Sequence, residues 1–425
     1  MSITILAIGS QGDVQPYLAL AVGLKNAGYK VQFAANSNFA ALAANYQIEF
    51  FPIQLDSFEF TQNSQTQFWL DAESIPHLIL STNRVIRPML ERIMEDVFAA
   101  CQGSEAVIYH SYALPFVYYI GKQLQIPCIP ASLHPMPTRS YPAILSNMMR
   151  SPSKTLNFLT HLLVHQISWQ VFLPAVRKHW NGHGHPPIIG PYREILKGTQ
   201  PVLCGYSPSV LPISEDLPKH VSITGYWFLE PHSNWQPDPA LIAFLNSTPR
   251  PIYIGFGSMG NPAKNEDTAN IILETIERTG VRAVLSAGWS GLGTDRPLPK
   301  NVFLIKDTPH RWLFPQMAAI VHHGGAGTTG AALSVGVPSL IIPHFGDQYY
   351  WGRRVAELGV GPKPIVRKKL TAENFAEAIS TALADSSMRE RASILGAKIA
   401  SEDGVSRVVQ IIQKYIGSLI NLQKG

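Results

Sequence analysis

The chain has 425 residues, 46% hydrophobic and 15% charged, with a formal net charge of +5. A chain this long buries a large core and suggests two domains, and its mild positive balance, with no dense Lys/Arg tract, excludes the usual nucleic-acid-binding pattern. The closest basic run, Lys363, Arg367, Lys368 and Lys369, reads as solvated surface. Cys101, Cys128 and Cys204 are odd in number and far apart, so neither a disulfide framework nor a metal site is implied, and a reducing, cytoplasmic setting fits.

The N-terminus, MSITILAIGSQGD, lacks a basic n-region and reads as a buried strand rather than a signal peptide. ITILAI is that strand, GSQGDVQP a loop, and YLALAVGLKNAG a helix that ends at Gly28, a suitable C-terminal cap. YKVQFAAN is the next strand, and AVIYH, a helix through PFVYYIGKQLQ, and IPCIPAS continue the alternation. Apolar strands alternating with helices predict a parallel sheet covered on both faces. The stretch from Thr155 to Val176 is apolar but interrupted by Asn157, His161, His165, Gln166 and Gln170. It lacks the roughly 18 uninterrupted apolar residues of a membrane span and reads as an amphipathic helix.

From Pro201 to Pro251 prolines become frequent, and the stretch reads as an interdomain linker with the boundary near residue 225. Then the pattern restarts: PIYIGFGSMG is a strand into a Gly-rich turn, DTANIILETIERTG a helix, and RAVLSAG, NVFLIKD, AAIVHH and PSLIIPH are strands. The expected organisation is a domain over 1–225, a linker over 226–250, a second domain over 251–404, and a helix over 405–425 docked on a domain face. Both domains read as α/β with a cleft between them, and ligands of such sheets bind beyond the carboxyl ends of the strands.

HHGGAGTTGAALSVGVPSLIIPHFGDQ, from His322 to Gln348, holds the densest chemistry. A strand, a glycine loop and a helix N-terminus present free N–H groups and a positive dipole end to an anion. Two readings fit: a diphosphate seat with His323 at its lip, or a tight strand-to-helix turn with two structural histidines. Asp347 and Gln348 follow the next strand and reach the same edge. They suit a pair of vicinal hydroxyls, or the N-cap of the following helix.

These segments, together with GSQGDVQPYLALAVGLKNAGYKVQFAAN and FGSM, resemble the nucleotide-sugar glycosyltransferases of family 1, closest to the sterol 3β-glucosyltransferases and the glycopeptide-antibiotic glycosyltransferases. The resemblance implies a GT-B fold: two facing Rossmann-like domains, the acceptor on the first and the sugar nucleotide on the second. It implies that His323 contacts the diphosphate and that Gly325, Gly327, Thr328 and Thr329 continue the cradle. Ser258 would be a second phosphate donor, and Asp347 and Gln348 would hold the hexose. The plant signature opens with a Trp that stacks on uracil. Here that position is Ile305, so the base would be held by apolar and backbone contact. Trp312 reads as core.

No Asp-x-Asp metal motif accompanies these segments, so a metal-free reaction without a cofactor is expected, the leaving diphosphate being stabilised by N–H dipoles and His323. Many relatives use a first-loop histidine as base; here the loop offers Asp13, with His110 after AVIY as partner or alternative base. Asp13 as a helix cap, and His110 as an ordinary strand-end residue, are the competing readings. In-line attack would invert the anomeric carbon. Ser10, Gln11, Tyr112 and Met136 are expected at the acceptor, which the aromatic and Met-rich first half suggests is lipophilic, such as a sterol. The helix over Thr155 to Val176 is either a wall of that pocket or a peripheral membrane contact. A deoxysugar transferase using a TDP donor on a natural product is the main alternative. A sugar-nucleotide epimerase and a catalytically silent binder fit less well, since Asp13 and the Asp347–Gln348 pair are both present.

Overall fold

The computed structural model describes residues 1–55, 87–144, 153–179, 188–198, 200–257, 262–287, 298–306, 308–344 and 346–424. Two compact units result. The first comprises Met1–Pro208, Pro212–Trp227 and Asp403–Gly425; the second comprises Ser209–Leu211 and Phe228–Glu402.

In the first unit, β1 (Ser2–Ala7), α1 (Gln11–Asn26), β2 (Lys30–Asn36), α2 (Ala40–Asn45) and β3 (Glu49–Ile53) are followed by α3 (Arg87–Cys101), β4 (Ala106–His110), α4 (Leu114–Leu124) and β5 (Cys128–Ser132). Then come α5 (Lys154–His179), α6 (Tyr192–Lys197), β6 (Val202–Cys204) and β7 (Val221–Ile223). The seven strands pair in parallel in the order β3-β2-β1-β4-β5-β6-β7. All five residues of β4 are buried, as a central strand covered on both faces requires. One side packs Leu6, Val107 and Tyr109 against Met94, Val97, Phe116, Trp169 and Leu173 from α3, α4 and α5.

Two expectations change here. GSQGDVQP is not a loop to its end: α1 begins at Gln11 and carries Pro16 within it. The reason is local, since the Asp13 carboxylate accepts the Ser10 N–H and Oγ–H at 2.9 and 2.8 Å and so closes the helix start early. The proline-rich stretch is also not a plain linker. It supplies β6 and β7, which contain no proline themselves, and of the 226–250 segment Tyr226 and Trp227 group with the first unit.

The second unit contains α7 (Pro239–Leu245), β8 (Ile252–Gly255), α8 (Pro262–Thr279), β9 (Ala283–Ser286), β10 (Val302–Ile305), α9 (His310–Leu313) and β11 (Ile320–His322). It continues with α10 (Ala326–Ser334), β12 (Ser339–Ile341), α11 (Gln348–Glu357), α12 (Ala372–Ala384) and α13 (Ser386–Ala400). Its strands are parallel in the order β10-β9-β8-β11-β12, a doubly wound sheet. The closing helix, α14 (Gly404–Lys424), returns to the first unit and packs on α1. There Gly23 leaves room for Val405, whose Cγ1 would lie 2.4 Å from a Cβ at that position. Among the described residues, no helix is long and apolar enough to cross a membrane.

Candidate active site

Three neighbouring strands of the second sheet, β8, β11 and β12, end at one edge, because all three are parallel. β8 runs into Gly257, β11 into His323–Gly325, and β12 into Ile342–His344, ahead of Asp347 and the start of α11. The alternation of strand and helix thus delivers three loops that the sequence separates by almost a hundred residues.

The His323 ring stands between two glycines. A Cβ at Gly257 would lie 2.9 Å from its Cε1, and one at Gly325 would lie 2.6 Å from its Nε2. Only glycine on both sides leaves the ring in place, and Gly257 also sits at φ +70°, where glycine is unstrained. Nδ1 of His323 is buried without a hydrogen-bond partner. Burial pushes this imidazole down to about 4, against an upward pull from the Asp347 carboxylate. The ring is therefore neutral at physiological pH and carries one N–H. A buried polar atom with no partner costs about 1–3 kcal/mol, a cost that a ligand oxygen at this position would remove.

Gly325 is the N-cap of α10, and it has no side chain to cap the helix. Thr329 N–H bonds back to Gly325 O at 2.8 Å. The N–H groups of Ala326, Gly327 and Thr328 precede any intrahelical acceptor and form the positive end of the helix. Thr329 Oγ1 is buried beneath them without a partner. Gly324, at φ +94°, brings this loop against the next: a Cβ there would lie 2.6 Å from Ile341 Cγ2 and 3.1 Å from Gln348 O.

The third loop is braced from both sides. Gln348 Oε1 accepts the His344 N–H at 2.7 Å, and Tyr349 donates its hydroxyl to His344 O at 3.1 Å. Asp347 occupies the N-cap position of α11 but makes no side-chain cap bond; its Oδ2 accepts the indole N–H of buried Trp351 at 3.1 Å. The expected Asp347–Gln348 pair is therefore held in place by groups outside the glycine loop. His344 is pushed down to about 3 by burial, then by Arg367 and His323, and its Nε2 has no partner. His322 accepts the Gly324 N–H on Nδ1 at 3.1 Å, and burial lowers it well below the usual histidine range. His310 stacks on Phe314 with ring centroids 4.2 Å apart, and burial lowers it to about 4.

Ser258 lies outside the described residues. Ile305 ends β10 with its side chain in the core beside Leu313, Phe314 and Met317, while its carbonyl accepts the Ala287 N–H at 2.9 Å. Contact with a base would therefore fall to backbone beyond it rather than to the Ile305 side chain. Trp312 packs against the same core and meets Trp235 at 5.1 Å.

In the first unit, Asp13 lies in the first turn of α1, one turn before Tyr17. The Tyr17 ring meets His110 edge to face at 5.2 Å, and its hydroxyl donates to Ala131 O at 2.6 Å. His110 is fully buried at the end of β4, beside β1, and is pushed down to about 3 by burial and then by His134. It is a neutral core histidine beneath the start of α1. Ser10 serves Asp13, Gln11 is exposed, and Met136 is buried with its sulfur accepting the Tyr192 hydroxyl at 3.4 Å. Tyr112 falls in a short turn before α4, and its side chain lies outside the described residues. The sequence reading missed Trp351 and His344. Trp351 was open to discovery, being four residues after Asp347 on one helix face.

Comparison with known proteins gives the kinds of domain that carry this site. Residues 3–136 match the glycosyltransferase family 28 N-terminal domain, and residues 284–415 match the erythromycin biosynthesis protein CIII-like C-terminal domain. The sterol 3-beta-glucosyltransferase of Aspergillus clavatus is 34% identical over 430 residues, covering 97% of this chain but 30% of the fungal protein. The chain thus spans less than a third of the length of such curated relatives. Among solved structures, the glycotransferase of kitacinnamycin aligns with a TM-score of 0.69 at 16% identity, over 97% of this chain and 98% of that one. The glycosyltransferase SsfS6 of Streptomyces sp. SF2575, complexed with thymidine diphosphate, aligns at 0.62 with 18% identity, over 97% and 99%. The fold is GT-B, and the resemblance to sterol and antibiotic glycosyltransferases holds across both domains.

Proposed function

We infer that this chain, a glycosyltransferase by its domain matches and GT-B fold, is an inverting, metal-independent enzyme that moves glucose from UDP-glucose to the hydroxyl of a sterol or another lipophilic alcohol. The observation that carries the reading is the neutral His323, held between two glycines at the uncapped start of α10 and beside a braced Asp347–Gln348 pair. The second unit holds the donor. The N–H groups of Ala326, Gly327 and Thr328 and the His323 N–H supply positive charge where the leaving diphosphate gathers electrons, the task a divalent ion would otherwise perform. Asp347 and Gln348 take the sugar hydroxyls.

The first unit supplies the acceptor and the base. The acceptor oxygen forms a bond to the anomeric carbon as the bond from that carbon to the phosphate oxygen breaks. UDP leaves with the electron pair, and the hydroxyl proton passes to the Asp13 carboxylate. Two hydrogen bonds from Ser10 fix the carboxylate in place, so Asp13 acts through position, with the proton moving as the bond forms. His110 is a positioning group in this reading, since it supports α1 through Tyr17. A lipophilic acceptor also makes peripheral contact with a bilayer part of the proposal.

A TDP-deoxysugar transferase acting on a natural product is the second reading. It draws on the placement of Ile305 in the core, which leaves no aromatic platform at that position, and on the thymidine diphosphate bound by a structural neighbour. Calorimetric titration with UDP-glucose and with TDP-glucose, in EDTA, separates the two. We expect UDP-glucose to bind more tightly, without metal, and to lose at least about tenfold in affinity in His323→Ala. Tighter binding of TDP-glucose, or binding that survives His323→Ala, would overturn the first reading.

A further inference from the structure

The longest described helix of the first unit, α5, carries an exposed apolar face. α5 buries Asn157, Thr160, His161, Trp169, Leu173 and Val176 toward the protein. Its opposite face exposes Leu156 at 41%, Leu159 at 51%, Leu163 at 61% and Ile167 at 51%. Spacings of three, four and four residues keep these side chains on one stripe, about 16 Å long at 1.5 Å per residue. The amides of Gln166 and Gln170 donate to Ile188 O at 3.0 and 2.7 Å, and Gly190 N–H donates back to Gln166 Oε1 at 3.1 Å. These bonds hold Ile188 and Ile189, 69% and 67% exposed, beside the Ile167 end of the stripe. Six large aliphatic side chains thus form one patch. Single exposed apolar residues are ordinary on protein surfaces, but a contiguous patch of this kind marks an interaction site.

Charge says what covers it. From Ala106 to Arg193 the sequence contains no Asp or Glu, in a chain that has 29 of them in 425 residues. The same segment carries Lys122, Arg139, Arg150, Lys154, Arg177, Lys178 and Arg193. Lys154 is exposed at one end of α5 and Arg177 at the other, while Lys178 is paired with Glu91 at 2.6 Å. An apolar stripe on a helix with basic ends and no acid is the pattern of a helix lying in a bilayer interface. The basic residues at the ends of α5, which itself carries no acid, are drawn to anionic lipid, at roughly 1 kcal/mol per basic residue near the membrane.

We propose that the α5 stripe, extended by Ile188 and Ile189, docks the protein on an anionic bilayer surface. The proposal deepens the functional reading, because a lipophilic acceptor resides in such a bilayer, but it rests on different residues. The test is flotation of the full chain with phosphatidylcholine vesicles, with and without phosphatidylserine, for the wild type and for a Leu159→Gln/Leu163→Gln double variant. Both substituted residues are exposed, so the variant should keep its fold and its UDP-glucose affinity, which titration checks. We expect the wild type to float with phosphatidylserine vesicles and to be released by salt, and the variant to lose about tenfold or more of that binding. Absence of flotation, equal binding to neutral vesicles, or binding that survives in the variant would overturn the proposal. So would a dimer of the wild type that the variant dissolves, since a second copy would then be the occupant. A wild type that floats with phosphatidylserine vesicles but does not bind UDP-glucose would count against the glycosyltransferase reading alone.

Discussion

At the scale of single residues, the two glycines that flank His323 do as much as the histidine. On the proposed function, removing the imidazole deletes one hydrogen-bond donor to the leaving group, an effect of about 10²–10³ in kcat for comparable oxyanion donors. His323→Ala should show that loss in steady-state kinetics with an unchanged melting temperature. Gly325→Ala should cost donor affinity by a different route, because its Cβ would occupy space 2.6 Å from Nε2 and displace the ring. Asp13 separates its two roles by substitution. Asp13→Asn keeps an oxygen to accept from Ser10 and should retain stability and donor binding while transfer is lost. Asp13→Ala should additionally lose about 1 kcal/mol of stability, the usual value of a helix cap, seen as a lower melting temperature. An Asn variant that transfers sugar at the wild-type rate would reduce Asp13 to its capping role.

At the scale of elements, the strand–loop–helix rhythm was legible because buried parallel strands read as short apolar runs. AAIVHH, PSLIIPH and PIYIGFG all end in the loops that build the site. The start of α1 was not legible in the same way: GSQGD looks like a loop until Ser10 and Asp13 are seen to cap each other three residues apart. β6 and β7 hid among prolines, since three-residue strands carry too short a pattern to outweigh the turns beside them. Nor does sequence show that the ends of β10, β11 and β12 gather His310, His322, His323 and His344 in neutral form, because burial is a property of the packed sheet. Their lowered affinity for protons has a consequence for stability. Between the ordinary histidine value near 6.5 and the folded values of about 3 to 4 for His310, His323 and His344, the unfolded chain binds more protons than the folded one. Stability should therefore fall as pH drops from about 6.5 toward 4, and thermal melts across that range should show it. His310→Phe should flatten the slope. A melting temperature that stays level over this range would contradict the burial of these rings.

At the scale of the whole molecule, the chain divides its work. One unit offers a carboxylate at the start of α1, and the other offers a glycine cradle and a braced acid–amide pair at three strand ends. If the donor is a full hexose, Asp347→Asn should reduce turnover of UDP-glucose far more than that of a 2,6-dideoxy donor, which has fewer hydroxyls for it to hold. Competition kinetics would read this difference. The division into two α/β units was readable from the repeated strand and helix pattern, while the assignment of acceptor to one and donor to the other came only from the family resemblance. The acceptor itself was not, because an apolar pocket and an apolar core are built from the same residue types, as buried Met136 illustrates. The most direct test of the proposed inverting, metal-independent transfer is turnover of UDP-glucose with a sterol in the presence of EDTA, with the product isolated and its anomeric configuration read by NMR. A β-glucoside formed at an undiminished rate without metal is expected. An α-glucoside, or turnover only with TDP-deoxysugars, would contradict it.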